Sequence, residues 1–542
     1  MATHSPHQGT CSLPATVQFL AFALISWLIS INTLRATTGG PDNFGYTFID
    51  SMEHNGPAFQ WIDITATGQE VISQGDDTAS TSNVDGIGAT VTLTFPFTFH
   101  GVTYESLSPT SNGYLSTDTV EKGQDASNDS TLPTPPSDGI GARLYVFHDD
   151  LTLDSSNGKV YYQYLDHSGH PHSDCGVSVF SWVDLRFAGG SALPLNFQAL
   201  LFDNGDILYQ YNTSGLSFGT SVTVGIQNEA GSDGLLYGAN TAGFITNNLA
   251  VLFEPPILTV TTADDELDTP AGANLSLREA IRDIPQGGKI EVASNIRSID
   301  LSEGDPATTL TISNKSLSID GSNSDGKLCL TGDKSFRIMT TTDVKLVLVD
   351  VCIRGGYNPL VGGGLRSESY DDHFRLCHVD FVGNESEGSA GAFRLLGEAR
   401  LFRCRFQGNQ AYGNGAGMSG FKNPANAGTG TVVLDECEFA CNRGFGRGIG
   451  AYFVNYDSVH VRGCSFFDNH QASTTAEFGA LNIRSNHTEV VNCTFTRNTY
   501  GALSVGSSSS NFTRIAHCTF TDNSGAFTSA VEAWGSAISE FH

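Results

Sequence analysis

The feature that most constrains this chain is a phrase that it repeats: Cys-x-Phe-x-x-Asn, followed by a Gly-Ala pair and an apolar run. The copies are Cys404, Phe406, Asn409; Cys437, Phe439, Asn442; Cys464, Phe466, Asn469; Cys493, Phe495, Asn498; and Cys518, Phe520, Asn523. A weaker copy, Val379, Phe381, Asn384, precedes them, and the cysteines are 33, 27, 29 and 25 residues apart. A recurring unit of this length with no helix-period segment means stacked β coils. Cys and Phe two apart share one face of a strand, and both are apolar, so that face is inward. The Asn falls where the strand must turn, and Asn tolerates the left-handed conformation better than most residues. The small pairs Gly391-Ala392, Gly450-Ala451, Gly479-Ala480, Gly501-Ala502 and Gly525-Ala526 allow a tight corner into the next strand. Each coil adds one rung of about 4.8 Å. The expectation is a right-handed parallel β-helix with Cys, Phe and Asn ladders. A β-sandwich with chance similarity would have to explain five copies in phase.

At 542 residues the chain exceeds one ordinary core, so two or three domains are expected. Lys+Arg of 28 against Asp+Glu of 57 gives −29, which argues against nucleic acid and anionic membrane surfaces as partners. Residues 1–36 read as a signal peptide around the apolar run Phe19 to Ile31, too short to span a bilayer. No Lys or Arg precedes the run and Arg35 follows it, so an uncleaved anchor is the alternative. The expected location is secreted or cell-surface, with no membrane span after cleavage. Of 11 cysteines, Cys11 leaves with the signal and Cys175 stands alone in the N-terminal half. The other nine lie between Cys329 and Cys518 and lack the paired spacing of a zinc site. Stacked Cβ atoms sit nearly one strand spacing apart, beyond the ~3.8 Å that a disulfide prefers. Buried thiols and disulfides both remain open for the ladder cysteines. N-glycosylation sequons stand at Asn128, Asn212, Asn274, Asn314, Asn384, Asn486, Asn492 and Asn511.

Residues 40–255 alternate as strands, with hairpin signals at Asn112-Gly113, Asn157-Gly158 and Asn204-Gly205. A β-sandwich of about ten strands is expected. The order of Phe44–Asp50, Phe95–Gly101, Ser111–Ser116, His148–Asp150, Gly158–Tyr162, Leu201–Ile207 and Val224–Asn228 resembles a β module of secreted bacterial proteins. That module is similar to the extracellular domain of nidogen, and the resemblance implies a binding module without a catalytic set. Pro255-Pro256 then forms a stiff joint, from which two independently folding halves are expected. The β-helix is assigned to 257–535, with a cap at 257–290 and coils from about 290 to 535. Ser276 and Glu279 make a capping box and Pro285 ends the turn, giving one short helix as a lid over the open end of the coils.

Here a second resemblance enters. Ser276–Ile281, Gly287–Val292, Leu310–Gly321 and Val351–Gly356 resemble the start of β-helix proteins carrying the CSLREAI signature. Those are secreted or surface proteins with a pectin-lyase-like fold and outer-membrane-protein-like repeats. Leu275 stands where that signature has Cys, so its disulfide is not expected here. The resemblance speaks for fold rather than activity.

A lyase on such a fold wants acidic Ca²⁺ ligands beside an Arg or Lys base, and a hydrolase wants carboxylates in register on adjacent rungs. The outward residues between Cys and Phe are Arg405, Glu438, Ser465, Thr494 and Thr519, which supply only one acid. Asp371, Asp372 and His373 form a lone cluster, and His378, His460, His470 and His517 read as surface histidines. No catalytic residue is assigned. No cofactor is expected beyond Ca²⁺, for which the loop carboxylates are Asp149 and Asp150 with Asp154, and Asp264 and Asp265 with Glu266 and Asp268. The expected function is a non-enzymatic adhesion, binding or scaffold protein that contacts polysaccharide or a matrix or cell-surface protein. The alternative is a polysaccharide lyase or glycoside hydrolase of the pectin-lyase-like fold.

Overall fold

The structure is a computed structural model. It describes residues 37–541 apart from 80–89, 136–140, 154–157, 190–193, 214–220, 270–271, 304–307, 324–325, 424, 426–428, 473–478, 507–511, 526–529 and 535–539. The signal-peptide assignment, Cys11, Asp154 and the sequon at Asn511 lie outside the described residues. Among those described, no helix is long and apolar enough to cross a membrane.

The N-terminal part is a sandwich of a nine-stranded and a six-stranded antiparallel sheet, more strands than the hairpin signals suggested. The surplus is mostly short pairings such as Thr38–Gly39 and Leu151–Thr152. The alternating strands Val177–Phe187, Leu195–Phe202 and Ile207–Tyr211 send Trp182, Phe197 and Tyr209 into the space between the sheets. On the other side of the larger sheet, Gln198 and Gln210 each exchange two hydrogen bonds with the backbone of Gln60–Ile62. That clamp holds Ile64 over a second apolar cluster with Val179 and Leu200.

From Ile257 onward the described strands form sheets of eighteen, ten and five, paired in parallel except for the short antiparallel hairpin of Ser322–Asn323 with Gly326–Thr331. The helix Leu277–Asp283 closes the first coil, and each residue of its motif has a task. Leu277, Ala280 and Ile281 enter the solenoid core, while Glu279 accepts from the Ser276 and Asp268 amides. Arg278 holds Asp265 through two bonds of 2.6 and 2.9 Å. The coils run beyond the expected limit of 535, since Glu540–Phe541 still pairs with Arg514–Ile515.

The repeated hexapeptides lie in register on consecutive rungs. Phe381, Phe406, Phe439, Phe466, Phe495 and Phe520 form a column of near-parallel rings, 4.7 to 5.1 Å between neighbours. Cys404, Cys437, Cys464, Cys493 and Cys518 are free thiols, each donating to a carbonyl of the preceding rung.

The Asn residues do something other than turn the chain. The left-handed backbone falls one position earlier, at Gly408, Cys441, Asp468, Arg497 and Asp522, and again just before each Cys. The Asn side chain is directed inward. Each amide Nδ2 from Asn384 to Asn498 donates to the Oδ1 of the next Asn, at 2.9 to 3.1 Å, and those from Asn409 on also reach back to the carbonyl of the preceding Phe. The Oδ1 also accepts the backbone amide of the preceding Asn. Such a column satisfies the polar atoms of the turn without water. The Gly-Ala pairs also differ from expectation: Met418 pairs with Ala451 and Ala451 with Leu481, so Gly450-Ala451 is one residue out of phase with Gly479-Ala480.

The halves are joined side by side. A disulfide joins Cys175 to Cys377, giving the lone N-terminal cysteine a partner 202 residues away. Arg400 binds Asp166 at 2.8 Å, Arg403 binds Asp174 at 3.1 Å, and the His167 ring stacks on Phe402 at 5.1 Å. Lys289, at the first coil, lies 3.5 Å from Asp206 and from Glu254, and His172 sits 2.9 Å from Asp206. Burial alone would raise the Asp206 pKa; Lys289 and His172 outweigh it and hold the carboxyl below its ordinary range. A depressed carboxylate contributes stability above its unfolded pKa of about 3.9 and loses it as pH falls toward the folded value. The melting temperature should therefore drop between about pH 4 and pH 2, with a shallower drop in Asp206→Asn. Equal slopes for the two proteins would remove Asp206 from the account.

Candidate functional site

Docking of the sandwich on the coils leaves a cleft of about 440 Å³ between them. Thr103 and Glu105 line it from the sandwich, and Gln286, Asp343, Lys345 and His373 from the solenoid. Lys345 and His373 are directly paired on adjacent parallel strands, and Glu398 follows on the next rung. Parallel pairing makes one outward row of an amine, an imidazole and a carboxylate. The Lys345 amine lies over the Phe95 ring at 4.8 Å, where burial pushes its pKa down to about 8. Burial, with Lys345 and Lys422 nearby, brings His373 down to about 4, so its imidazole is neutral at pH 7. An amine with a pKa of about 8 exchanges its proton near neutral pH, beside an imidazole that stays neutral there.

Of the cluster read at 371–373, Asp371 and His373 line the cleft. Asp372 is fully buried and accepts from the Val344 amide and the Thr341 hydroxyl, which makes it a corner brace. Further along the coils three outward carboxylates meet cations. Glu438 meets Arg405 at 2.9 Å, Asp468 meets Arg497 at 2.7 Å, and Glu489 gathers His460, Arg462 and Arg514 within 3.3 Å.

The Ca²⁺ assignments fare differently at the two places. Asp265 is buried in its bidentate pair with Arg278 and is not available to a cation, while Asp264 accepts from Thr262 at 3.1 Å. Asp149 and Asp150 line a second depression of about 600 Å³ with Asn128 and Ser221. Asp150 approaches Asp76 and Asp77, with carboxylate oxygens within 4.8 Å of one another. Burial pushes Asp149 up to about 6. Asp76 and Asp77 escaped notice because a loop far along the chain carries them. Asp42, His100 and Asp233 also converge, but the two carboxylates are engaged with the backbone of residues 43–46.

Among the sequons, Asn212, Asn274, Asn314, Asn486 and Asn492 are exposed, and Asn314 borders the cleft. Asn384 is fully buried in the amide column, bonded to Ile353 and Asn409, so a glycan there would have to dismantle a rung.

Comparison with protein families gives two matches: residues 58–256 match the family described as NIDO related, and residues 372–540 match the right handed beta helix region. No curated protein and no solved structure matches the chain.

Proposed function

We propose that this chain, a NIDO-related module locked onto a right-handed β-helix, is a secreted or cell-surface protein that binds and scaffolds rather than cleaves. Its partners are glycans or extracellular matrix. The observation that supports this reading is the pairing of three outward carboxylates on the coils with arginine. Hydrolysis of a glycosidic bond needs two carboxyl groups flanking it, one of them protonated. Glu438, Asp468 and Glu489 are instead each paired with an arginine. The rigid column of rungs and the fixed module suit repeated polar contacts along a polymer. Incubation with pectins, alginates and glucans in the presence of Ca²⁺ should release no reducing ends and no unsaturated products. Product above a heat-killed control would overturn the reading.

One observation favours a second reading, a lyase: the Lys345–His373 row in the cleft, with an amine near pKa 8. In that case unsaturated uronate product would appear and Lys345→Met would abolish it.

A further inference from the structure

We propose that Cys329 and Cys352 form a surface dithiol on the ten-stranded sheet, a modification site at which a low-molecular-weight disulfide such as oxidised glutathione installs a disulfide between neighbouring coils.

The coil register brings the two cysteines together. Strand Gly326–Thr331 pairs in parallel with Val351–Arg354, and Cys329 stands directly opposite Cys352. Leu328 and Leu330 on one strand, and Val351 and Ile353 on the other, enter the solenoid core. Alternation therefore turns both cysteines outward. Cys329 is partly exposed, and Cys352 is 7 % exposed. The same outward row continues with Asp380 on the next rung. Lys327, two residues before Cys329, reaches over to Asp380 at 2.9 Å, and Arg354 lies two residues beyond Cys352. Two cations thus border the pair, with one carboxylate.

The ladder cysteines are placed differently. Cys404, Cys437, Cys464 and Cys493 are buried in the core and donate to carbonyls of the preceding rung. A reagent in solution reaches them only by opening a coil. Directly paired Cα atoms on neighbouring strands are about 4.8 Å apart, inside the ~4.4–6.8 Å range that a disulfide spans. The Cβ atoms must still lean toward one another to reach the ~3.8 Å of a bridge. Side chains on the outer face are free to lean, whereas those packed in the column are not.

The two sulfurs have different roles. The hydrogen bond from Cys352, helped by Arg354 and Lys327, brings Cys329 down to about 7 against its burial and Asp380. The same bond, and then burial, push the Cys352 thiol up. The more exposed sulfur is therefore the thiolate, which is the form that attacks. Cys329 attacks one sulfur of oxidised glutathione, whose S–S bond breaks to release a glutathione thiolate. Cys352 passes its proton to that thiolate, attacks the Cys329 sulfur and expels the second glutathione thiolate, which takes a proton from solvent. The two protein thiols are oxidised, and the glutathione disulfide is reduced to two thiols.

The test is incubation of the full folded chain with oxidised glutathione near pH 8, where a thiol of pKa about 7 is mostly ionised, followed by alkylation in denaturant, tryptic digestion and mass spectrometry. The expected product joins Leu328–Lys334 to Leu346–Arg354, lighter than the two free peptides by two hydrogen atoms, with Cys404, Cys437, Cys464 and Cys493 recovered alkylated. The same link in the protein as purified would meet the expectation, provided that it re-forms after reduction. Cys352→Ser should retain one glutathione on Cys329, while Cys329→Ser should take up glutathione at least about ten-fold more slowly. Recovery of both cysteines as alkylated peptides from the treated parent, or a link from either one to a ladder cysteine, would overturn the proposal. Equal uptake by the two variants would overturn the assignment of Cys329 as the attacking sulfur.

Discussion

Replacing Phe466 with alanine is expected to destabilise the solenoid by about 3–5 kcal/mol, the range for truncating a buried aromatic side chain. Its ring is fully buried between those of Phe439 and Phe495, at 4.8 and 4.9 Å. A Cβ added at Gly450 would stand 3.0 Å from the Phe466 ring, so backbone already presses on it from the side. Neighbours held in register by two parallel ladders cannot collapse into the gap. The loss should therefore fall toward the upper end of the range. Phe520, at the last rung and half-buried, should lose less on the same change. Chemical denaturation of both variants decides the matter, and equal losses at the two positions would mean that ring stacking contributes little.

The second large effect lies between the halves. Arg375 is fully buried, 3.4 Å from Asp203 and 4.0 Å from Asp166. Removing one partner of a buried ion pair leaves the other charge stranded, at a cost of about 3–5 kcal/mol. Arg375→Met keeps the volume and removes the charge. Burial already raises the Asp203 pKa, against the opposing pull of Arg375. Without the guanidinium the carboxyl rises further and takes up a proton. A carboxyl raised above its unfolded value is penalised as pH climbs through the folded pKa and relieved below the unfolded one. The deficit of Arg375→Met should thus be largest at neutral pH and shrink toward pH 4. Adding Asp203→Asn should restore most of it at pH 7. Thermal melts of the four proteins of that cycle test this, and a double variant as weak as the single one would assign the cost to packing instead.

The solenoid was legible because the Cys-x-Phe-x-x-Asn phrase recurs in one phase and alternation alone places its Cys and Phe. The task of the Asn was not. Propensity for left-handed backbone is a local property, whereas a column of amides exists only between rungs, and that interaction decided which residue took the turn. Cys175 had no visible partner because a pairing across 202 residues leaves no periodic trace. The outward row that carries Lys345 and His373 was hidden for a related reason. Coil lengths vary, so no fixed period in the sequence sets Lys345 opposite His373. Asp265 read as a cation ligand because its arginine lies thirteen residues away on the cap helix.

The amide column also bears on how such a protein changes its length. Every Asn presents the same donor forward and the same acceptor backward, so any rung meets any other in the same way. A duplication or loss of one whole unit leaves the junction chemically unaltered, wherever it occurs between Asn384 and Asn523. Extra residues inside a unit are tolerated only outside the hexapeptide, which is where the spacings of 25 to 33 differ. Reach is therefore adjustable in steps of one rung while the cross-section stays constant, as with a telescoping mast whose sections share one gauge.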